Sequence, residues 1–230
     1  MRFALSTAAL VLVCAAALLA AVWTPYPVDG IEISDRFAAM SAANPLGTDQ
    51  YGRDMVSMLM AGATTSLGVA AAAVFIGVTL GSLAGLTAAA AGGVARGALM
   101  RTSDLIFAFP ALIVAAILAT VFGPGAMNAV VAIGIFNIPV FALITAASAR
   151  QLLVRDFADA ARLAGKSEAR IAVEHIAPNI APIIATQAAT QFAVAILAEA
   201  GLSYVGLGVQ PPAVSWGRML AEAQTLVALA

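Results

Sequence analysis

Five long apolar runs, separated by polar segments, dominate the hydrophobic pattern of this chain. The runs cover residues 3–22, 67–91, 105–122, 126–147 and 182–202. A helix needs about 20 apolar residues to cross the roughly 30 Å of hydrocarbon in a bilayer, and each run is close to that length or exceeds it. Proline and glycine inside the runs are tolerated because neighbouring helices can satisfy the freed backbone groups. The pattern therefore predicts an all-α, polytopic transmembrane helix bundle with five visible spans.

Local features between and inside the runs predict further elements. The stretch NPLGTDQYGRD, residues 44–54, contains the proline and glycines of turns, and the apolar positions at 55–66 indicate a short interfacial helix that feeds the second span. The glycine-rich stretch 92–105 predicts a tight turn. Asn137 and Pro139 lie in mid-span, where a proline leaves a carbonyl without its partner, so we expect a kink there that serves packing.

Composition agrees with a membrane protein. Hydrophobic residues make up 62% of the chain and charged residues 10%, against roughly 45–50% and 25% in soluble domains. The small residues of GVTLGSLAGL, at 77–86, favour close contact between helices. With one cysteine, Cys14, and one histidine, His175, the chain can build neither an internal disulfide nor a zinc site from several Cys or His ligands.

Basic residues predict the orientation of the spans. If connections alternate between the two sides, eight of the eleven Lys and Arg fall on one side: Arg2, Arg96, Arg101 and the five between Arg150 and Arg170. Membrane proteins concentrate Lys and Arg in their cytoplasmic connections. This side, including the N-terminus, is therefore predicted to be cytoplasmic.

The first run has two interpretations. Residues 1–22 combine an arginine, an apolar stretch and small residues, as a cleaved signal peptide does. The length of the run and the alternation of the spans favour an uncleaved first span. The chain then divides into a first span at 1–22, an extracytoplasmic segment at 23–66 and a transmembrane domain at 67–230, whose large polar loop covers 148–181.

The polar loop 148–181 is the most informative part of the chain because it holds five of the eleven basic residues between two apolar runs. Its pattern predicts a helix, a break at Gly165 and a second helix, which ends at Pro178 before Pro182 opens the fifth span. The first helix is predicted to present a small contact surface made of Asp156, Phe157, Ala160, Ala161, Leu163 and Ala164. An ordinary amphipathic surface helix explains this pattern equally well.

Two chemical motifs in this loop are rejected. Gly165-Lys166-Ser167 lacks the glycine that a phosphate-binding loop requires at position 160 and lies in helical sequence. For His175 a surface or packing role is favoured over metal binding. No Ser/His/Asp set or carboxylate pair supports catalysis. We therefore predict no cofactor, no metal site and no catalytic residue, and any ATP must be hydrolysed on a separate subunit.

The loop also carries a family motif. DAARLAG and HIAPN, residues 159–165 and 175–179, resemble the cytoplasmic coupling motif of ATP-binding-cassette importer permeases: a Glu-Ala-Ala triplet, a glycine four residues later and a proline thirteen beyond it. The matching residues are Ala160, Ala161, Gly165 and Pro178, with Asp159 in place of the usual Glu and Ala177 in place of the usual Leu. The resemblance implies that these residues, with Asp159, couple the chain to an ATPase.

Three further stretches narrow the resemblance. Residues 44–54, SDLIFAFPALI at 103–113, and 196–223 are similar to sequences of the dipeptide/oligopeptide/nickel permease group, in the same order along the chain. Members of this group continue into a sixth span and a cytoplasmic tail, whereas this sequence stops at residue 230, so either the sequence is truncated or the protein lacks a helix that normally packs the bundle. The resemblance also implies a multi-pass location in the bacterial cytoplasmic (inner) membrane.

The same resemblance implies a set of partners. The expected partners are a second homologous permease subunit, two ATP-binding-cassette ATPase subunits, an extracytoplasmic substrate-binding protein and the lipid bilayer, with no nucleic acid. The chain would then be a non-catalytic translocation subunit. Small peptides are the preferred cargo and nickel is the alternative, since the spans contain no histidine or cysteine cluster for a transition metal.

Polar residues of the fifth run are candidates for lining the translocation path. Gln187, Gln191 and Glu199 follow one another along this run, and an ionisable residue inside a membrane segment is a functional candidate by default. Glutamine and threonine also serve as hydrogen-bonding glue between helices, which is the favoured interpretation. Outside the permease class, an ATP-independent channel or carrier would need more intramembrane ionisable groups, and a membrane enzyme would need a catalytic pair.

Overall fold

The computed structural model describes residues 2–227, which contain α-helices and turns and no β-strand. The α-helices are α1 (Arg2–Ala20), α2 (Met55–Ile76), α3 (Ser82–Ala91), α4 (Gly93–Phe107), α5 (Ala111–Phe122), α6 (Ala126–Leu153), α7 (Asp156–Leu163), α8 (Glu168–Ile171), α9 (Ala177–Tyr204) and α10 (Trp216–Val227). A 3₁₀ turn covers Ile33–Asp35, and π turns cover Gly77–Gly81 and Ala172–Ile176. The chain is therefore all-α, as the hydrophobic pattern predicts.

Three continuous helices within the described residues are long and apolar enough to cross a membrane: Met55–Ala91, Ala126–Leu153 and Glu168–Tyr204. Helices α4 and α5 pass the same test together but are bent by 77° at their junction, so they make a fourth span if the pair is counted as one. Ala4–Ala20 is a shorter apolar helix. Several apolar helices thus fit a polytopic membrane fold, and each predicted run lies largely in helix.

The second membrane helix begins earlier than predicted. Residues 55–66 are not a separate interfacial helix, because α2 runs without a break from Met55. Asp54 explains the start, since its Oδ2 accepts hydrogen bonds from the backbone nitrogen and Oγ of Ser57, both at 2.8 Å. A side-chain carboxylate that accepts from the third residue of a helix is a strong N-terminal cap.

The predicted tight turn at 92–105 is wrong except at its first residue. Gly92 has φ +71°, a conformation that glycine adopts without strain, and it alone separates α3 from α4. The following residues form α4 up to Phe107. The break in this region lies instead before α5, where Pro110 has no N–H with which to continue a helix.

The prolines near the fifth run do not act as predicted. Pro178 does not end a helix and Pro182 does not begin one, because the helix is continuous from Glu168 to Tyr204. The π turn Ala172–Ile176 precedes Pro178, and its wider backbone accommodates the missing hydrogen bond to Glu174. Helix α6 contains Pro139 and continues to Leu153, and the kink predicted at this proline stays a prediction.

The described residues form two compact units. One contains residues 2–69, 124–126 and 199–227, and the other contains 70–123 and 127–198. In the first unit Trp216 joins α10 to α2, because its Nε1 donates to the Leu59 carbonyl at 3.1 Å and its backbone nitrogen donates to Ser66 Oγ at 3.2 Å.

In the second unit the glycine-rich stretch 77–86 packs directly on α6, which confirms the expected close contact. A Cβ placed on Gly81 would lie 2.5 Å from the Ile138 carbonyl oxygen, and one on Gly85 would lie 2.5 Å from that of Ala142. Real Cβ atoms do not approach so closely, so only glycine permits this backbone contact.

Candidate coupling segment

The polar loop 148–181, here named the coupling segment, consists of the end of α6, helix α7, a glycine turn, α8, the π turn and the start of α9. Acidic Asp156 and Asp159 lie in the first turn of α7 and Arg162 lies in its last turn. Negative side chains thus lie at the N-terminal end of the helix, which carries a partial positive charge, and a positive one lies at the C-terminal end, which carries a partial negative charge. This arrangement stabilises a helix of only eight residues. The predicted order of helix, break and helix is confirmed.

Gly165 ends α7 as predicted. Its φ of +81° lies in the left-handed region that favours glycine. Its backbone nitrogen donates to the Arg162 carbonyl at 2.9 Å, and that of Lys166 donates to the Ala161 carbonyl at 3.1 Å. These two bonds form a Schellman motif, which satisfies carbonyls at the end of the helix. Ser167 then caps α8 weakly, accepting from Arg170 N at 3.4 Å.

A small apolar core lies inside the coupling segment. It joins the end of α6, one face of α7, α8 and the start of α9, and its buried members are Ala149, Leu153, Ala158, Ala161, Ile171, Ile176 and Ile180. The sequence predicts Ala161 at the contact surface, but the structure buries it in this core with 8% of its surface exposed. Consecutive side chains on a helix point about 100° apart, so Ala161 faces the core while its neighbour Ala160 is exposed.

The outer face of α7 remains uncovered by the described chain. Phe157 is 41% exposed and Leu163 is 90% exposed, and Ala160 lies on the same face. Residues three apart on a helix are neighbours, so these side chains form one apolar strip. Pro178, the last residue of the motif, is also exposed.

Arg162 connects helices α7 and α8 of the coupling segment. Its Nε donates to Glu168 Oε1 at 2.6 Å, its Nη1 to Asp159 Oδ1 at 2.6 Å, and the same Nη1 to the Leu153 carbonyl at 3.2 Å. The hydrogen bonds that Arg162 donates to Glu168 and then to Asp159 raise the pKa of Arg162. Asp159, the variant first residue of the motif, therefore bonds within its own helix.

A second ionic group holds the far side of the turn. Glu174 accepts from Lys166 Nζ at 2.7 Å and from Arg170 Nε at 2.5 Å. Nε2 of His175 lies 2.8 Å from Lys166 Nζ. The sequence pattern alone does not predict that Arg162, Glu168 and Glu174 form the ion pairs of this segment. The spacing of Arg170 and Glu174, four apart on a helix, was the available signal.

The candidate path residues lie in α9. Gln187 and Gln191 are partly buried, and no side-chain hydrogen bond is found for either within residues 2–227. Glu199 is fully buried. Its Oε1 accepts from Ser203 Oγ at 2.6 Å, whereas its Oε2 has no partner among the described residues. Within residues 2–227, no group of three or more His, Cys, Asp or Glu is placed to hold a metal ion.

Comparison with known proteins assigns the family. A family model described as "Binding-protein-dependent transport system inner membrane component" matches residues 77–230, which include the whole coupling segment. The chain belongs to this family. As a binding-protein-dependent inner membrane component, it is a protein of the inner membrane, and the predicted resemblance is confirmed.

Relatives of this binding-protein-dependent component belong to the peptide and nickel group. The chain is 40% identical over 183 residues to the di/tripeptide transport system permease protein DppC of Pseudomonas aeruginosa, covering 79% of this chain and 60% of that protein. It is 37% identical over 207 residues to a putative peptide permease protein of Brucella suis, covering 90% of this chain and 68% of that protein. It is 33% identical over 222 residues to the nickel transport system permease protein NikC of Escherichia coli, covering 95% and 80%.

Proposed function

We propose that this chain is the non-catalytic permease subunit of an ATP-driven importer for dipeptides or oligopeptides. It would pair with a second homologous permease, receive cargo from an extracytoplasmic binding protein and be driven by two ATPase subunits that dock on the coupling segment. Family membership and the peptide permeases among the relatives support this proposal.

The uncovered strip of α7 carries the proposal. Phe157, Ala160 and Leu163 form an apolar face on an otherwise charged arm, and the buried core and the ion pairs of the segment support α7 from behind. An exposed apolar strip of this kind is a common feature of a docking helix that enters a groove on a partner. The short side chain of Ala160 allows close approach of the partner.

The proposed orientation follows the distribution of basic residues. The coupling segment and the N-terminus lie in the cytoplasm, where the ATPases are, and residues 23–54 face the binding protein. The residues of the coupling segment that take part in docking are Asp159, Ala160, Gly165 and Pro178. Ala161 stabilises the segment from its buried core. Gln187, Gln191 and Glu199 remain proposed path residues.

Uptake and assembly test the proposal with matched alanine variants. Ala160 and Ala169 are both exposed in the coupling segment, but only Ala160 lies on the α7 strip. The transporter is expressed with its ATPases and binding protein, and uptake of a labelled dipeptide is measured. We expect Ala160→Glu to abolish uptake and co-purification of the ATPase, and Ala169→Glu to leave both intact. Equal behaviour of the two variants would contradict docking on α7.

Nickel is the second candidate cargo because the nickel permease NikC aligns over 95% of this chain. Uptake of radioactive nickel in the same cells distinguishes it from peptide uptake. Transport in liposomes that contain the chain without ATP or ATPase would instead indicate an independent channel or carrier.

A further inference from the structure

A pocket of about 270 Å³ lies in the first compact unit. Its charged and aromatic wall comes from three stretches of sequence and includes Asp29, Tyr51, Arg53, Arg218 and Glu222, with Pro211 among the apolar residues. The volume is just below the roughly 300–1,000 Å³ of typical ligand sites, so the pocket fits a small ligand. The predicted topology places all three stretches on the extracytoplasmic side.

Most charges around the pocket are already paired. Arg53 donates to Asp49 Oδ2 at 2.6 Å and to Glu222 Oε2 at 2.8 Å, and its guanidinium stacks 4.9 Å from the centre of the Tyr51 ring. Burial opposes the charge of Arg53, but the hydrogen bonds to Asp49 and Glu222 outweigh it and raise its pKa. The other oxygen of Glu222 accepts from Arg218 Nε at 3.0 Å. Two arginines and two carboxylates thus form a balanced network.

Two groups of opposite charge remain available at this pocket. Nη1 and Nη2 of Arg218 have no hydrogen-bond partner within residues 2–227, and the carboxylate of Asp29 has none in the same range. Guanidinium nitrogens are well suited to a carboxylate, and a free carboxylate is suited to an ammonium group. A ligand that carries both groups would satisfy both residues without adding net charge to a balanced network.

We propose that this Arg218 pocket binds the free termini of a short peptide, with the peptide carboxylate at Arg218 and the ammonium at Asp29. Apolar Met58, Val214 and Pro211 in the same wall then contact the peptide side chains. A divalent metal ion fits poorly, because no group of three or more His, Cys, Asp or Glu for a metal is found among the described residues. The proposal rests on the proposed peptide import and adds a cargo site on the permease itself.

Binding to the purified transporter complex in lipid nanodiscs, without the binding protein, tests this site. The probe is radioactive Ala-Leu, compared with N-acetyl-Ala-Leu and Ala-Leu amide as competitors. We expect each capped peptide to bind about tenfold or more weakly than Ala-Leu, because each lacks one charged hydrogen-bonding group.

Variants of the two available residues provide the second measurement. Arg218→Gln keeps an amide that can donate to Glu222, and Asp29→Asn changes one exposed side chain, so neither requires the fold to rearrange. We expect both to weaken Ala-Leu binding about tenfold or more. Arg36→Gln and Glu32→Gln are matched controls, since neither residue lines the pocket, and they should leave binding unchanged.

Several results would overturn the proposal. They are no binding of Ala-Leu at millimolar concentration, equal binding of the capped peptides, or equal effects of the pocket and control variants. If Arg218→Gln and Asp29→Asn bind Ala-Leu normally but lose the ATP hydrolysis that the binding protein stimulates, the pocket is a contact site for the binding protein and not a peptide site. Dipeptide uptake by intact cells distinguishes failure of the pocket proposal from failure of the proposed function. If uptake is normal while any of these results is obtained, only the pocket proposal is overturned.

Discussion

Arg162 and Glu168 form a paired contact across the Gly165 turn, with Nε to Oε1 at 2.6 Å and Nη2 to Oε2 at 3.1 Å. Arg162 lies in the last turn of α7 and Glu168 is the first residue of α8, so this fork joins the two helices across the turn. The paired geometry adds direction to the interaction and fixes the angle between the two short helices.

The fork makes a first prediction about Arg162. Arg162→Lys keeps the charge but cannot reach Asp159, Glu168 and the Leu153 carbonyl at once, because a lysine ammonium lacks the planar fork. We expect fewer dipeptides transported per ATP hydrolysed by the complete transporter. Arg155→Lys is the control, as Arg155 is exposed and has no side-chain partner among residues 2–227. Equal coupling in both variants would show that the fork does not transmit the ATPase movement.

Gly165 provides a second prediction, about stability. Gly165→Ala forces a Cβ into the left-handed region, which costs about 1–2 kcal/mol, although the space around it is open. Gly97→Ala, in the interior of α4 and also in open space, should stabilise the protein by about 0.5–1 kcal/mol. Unfolding in mixed detergent and SDS micelles measures both. A neutral Gly165→Ala would mean that the turn relaxes without strain.

The contact between the glycine-rich stretch 77–86 and α6 gives a third prediction. Gly81→Ala places a Cβ against the Ile138 carbonyl and should destabilise the protein by about 1–3 kcal/mol. Gly68→Ala in α2 meets nothing within 4 Å and should be neutral or slightly stabilising. The same micelle unfolding assay compares them. If both variants unfold alike, the helices are not packed as closely as described.

Ser203 gives a fourth prediction, inside the first unit. Its Oγ donates to Glu199 Oε1 and accepts from the Val209 nitrogen at 3.0 Å. Ser203→Ala would leave two buried groups unpaired, at a cost of about 1–3 kcal/mol for each. Exposed Ser34→Ala should change the free energy of unfolding by less than about 0.5 kcal/mol. Resistance of Ser203→Ala to SDS at the level of the Ser34 variant would refute this role.

The sequence was sufficient to predict the elements that depend on local chemistry. Apolar runs identify the membrane helices, and Gly165 identifies the end of α7, because a positive φ there depends on one residue type. The motif from Asp159 to Pro178 identifies the family. These features need no knowledge of which side chains meet in space.

Features that depend on packing were not predictable in the same way. The burial of Ala161 depends on Ile171 and Ile176, which lie on other elements, and hydrophobicity cannot rank Ala160 and Ala161 differently. Pro178 looks like a helix terminator until the preceding π turn is seen. The Arg218 pocket brings together residues that are far apart in the sequence. Arg53 and Glu222, for example, are 169 positions apart, and no local sequence pattern relates them.

The unbroken helix from Glu168 to Tyr204 has a mechanical consequence. Its 37 residues make a rod of about 55 Å, without a flexible joint between the ion-paired arm and Gln187 or Gln191. A tilt or twist applied at the coupling segment would therefore be carried along this helix towards Gln187 and Gln191 rather than being absorbed by a loop.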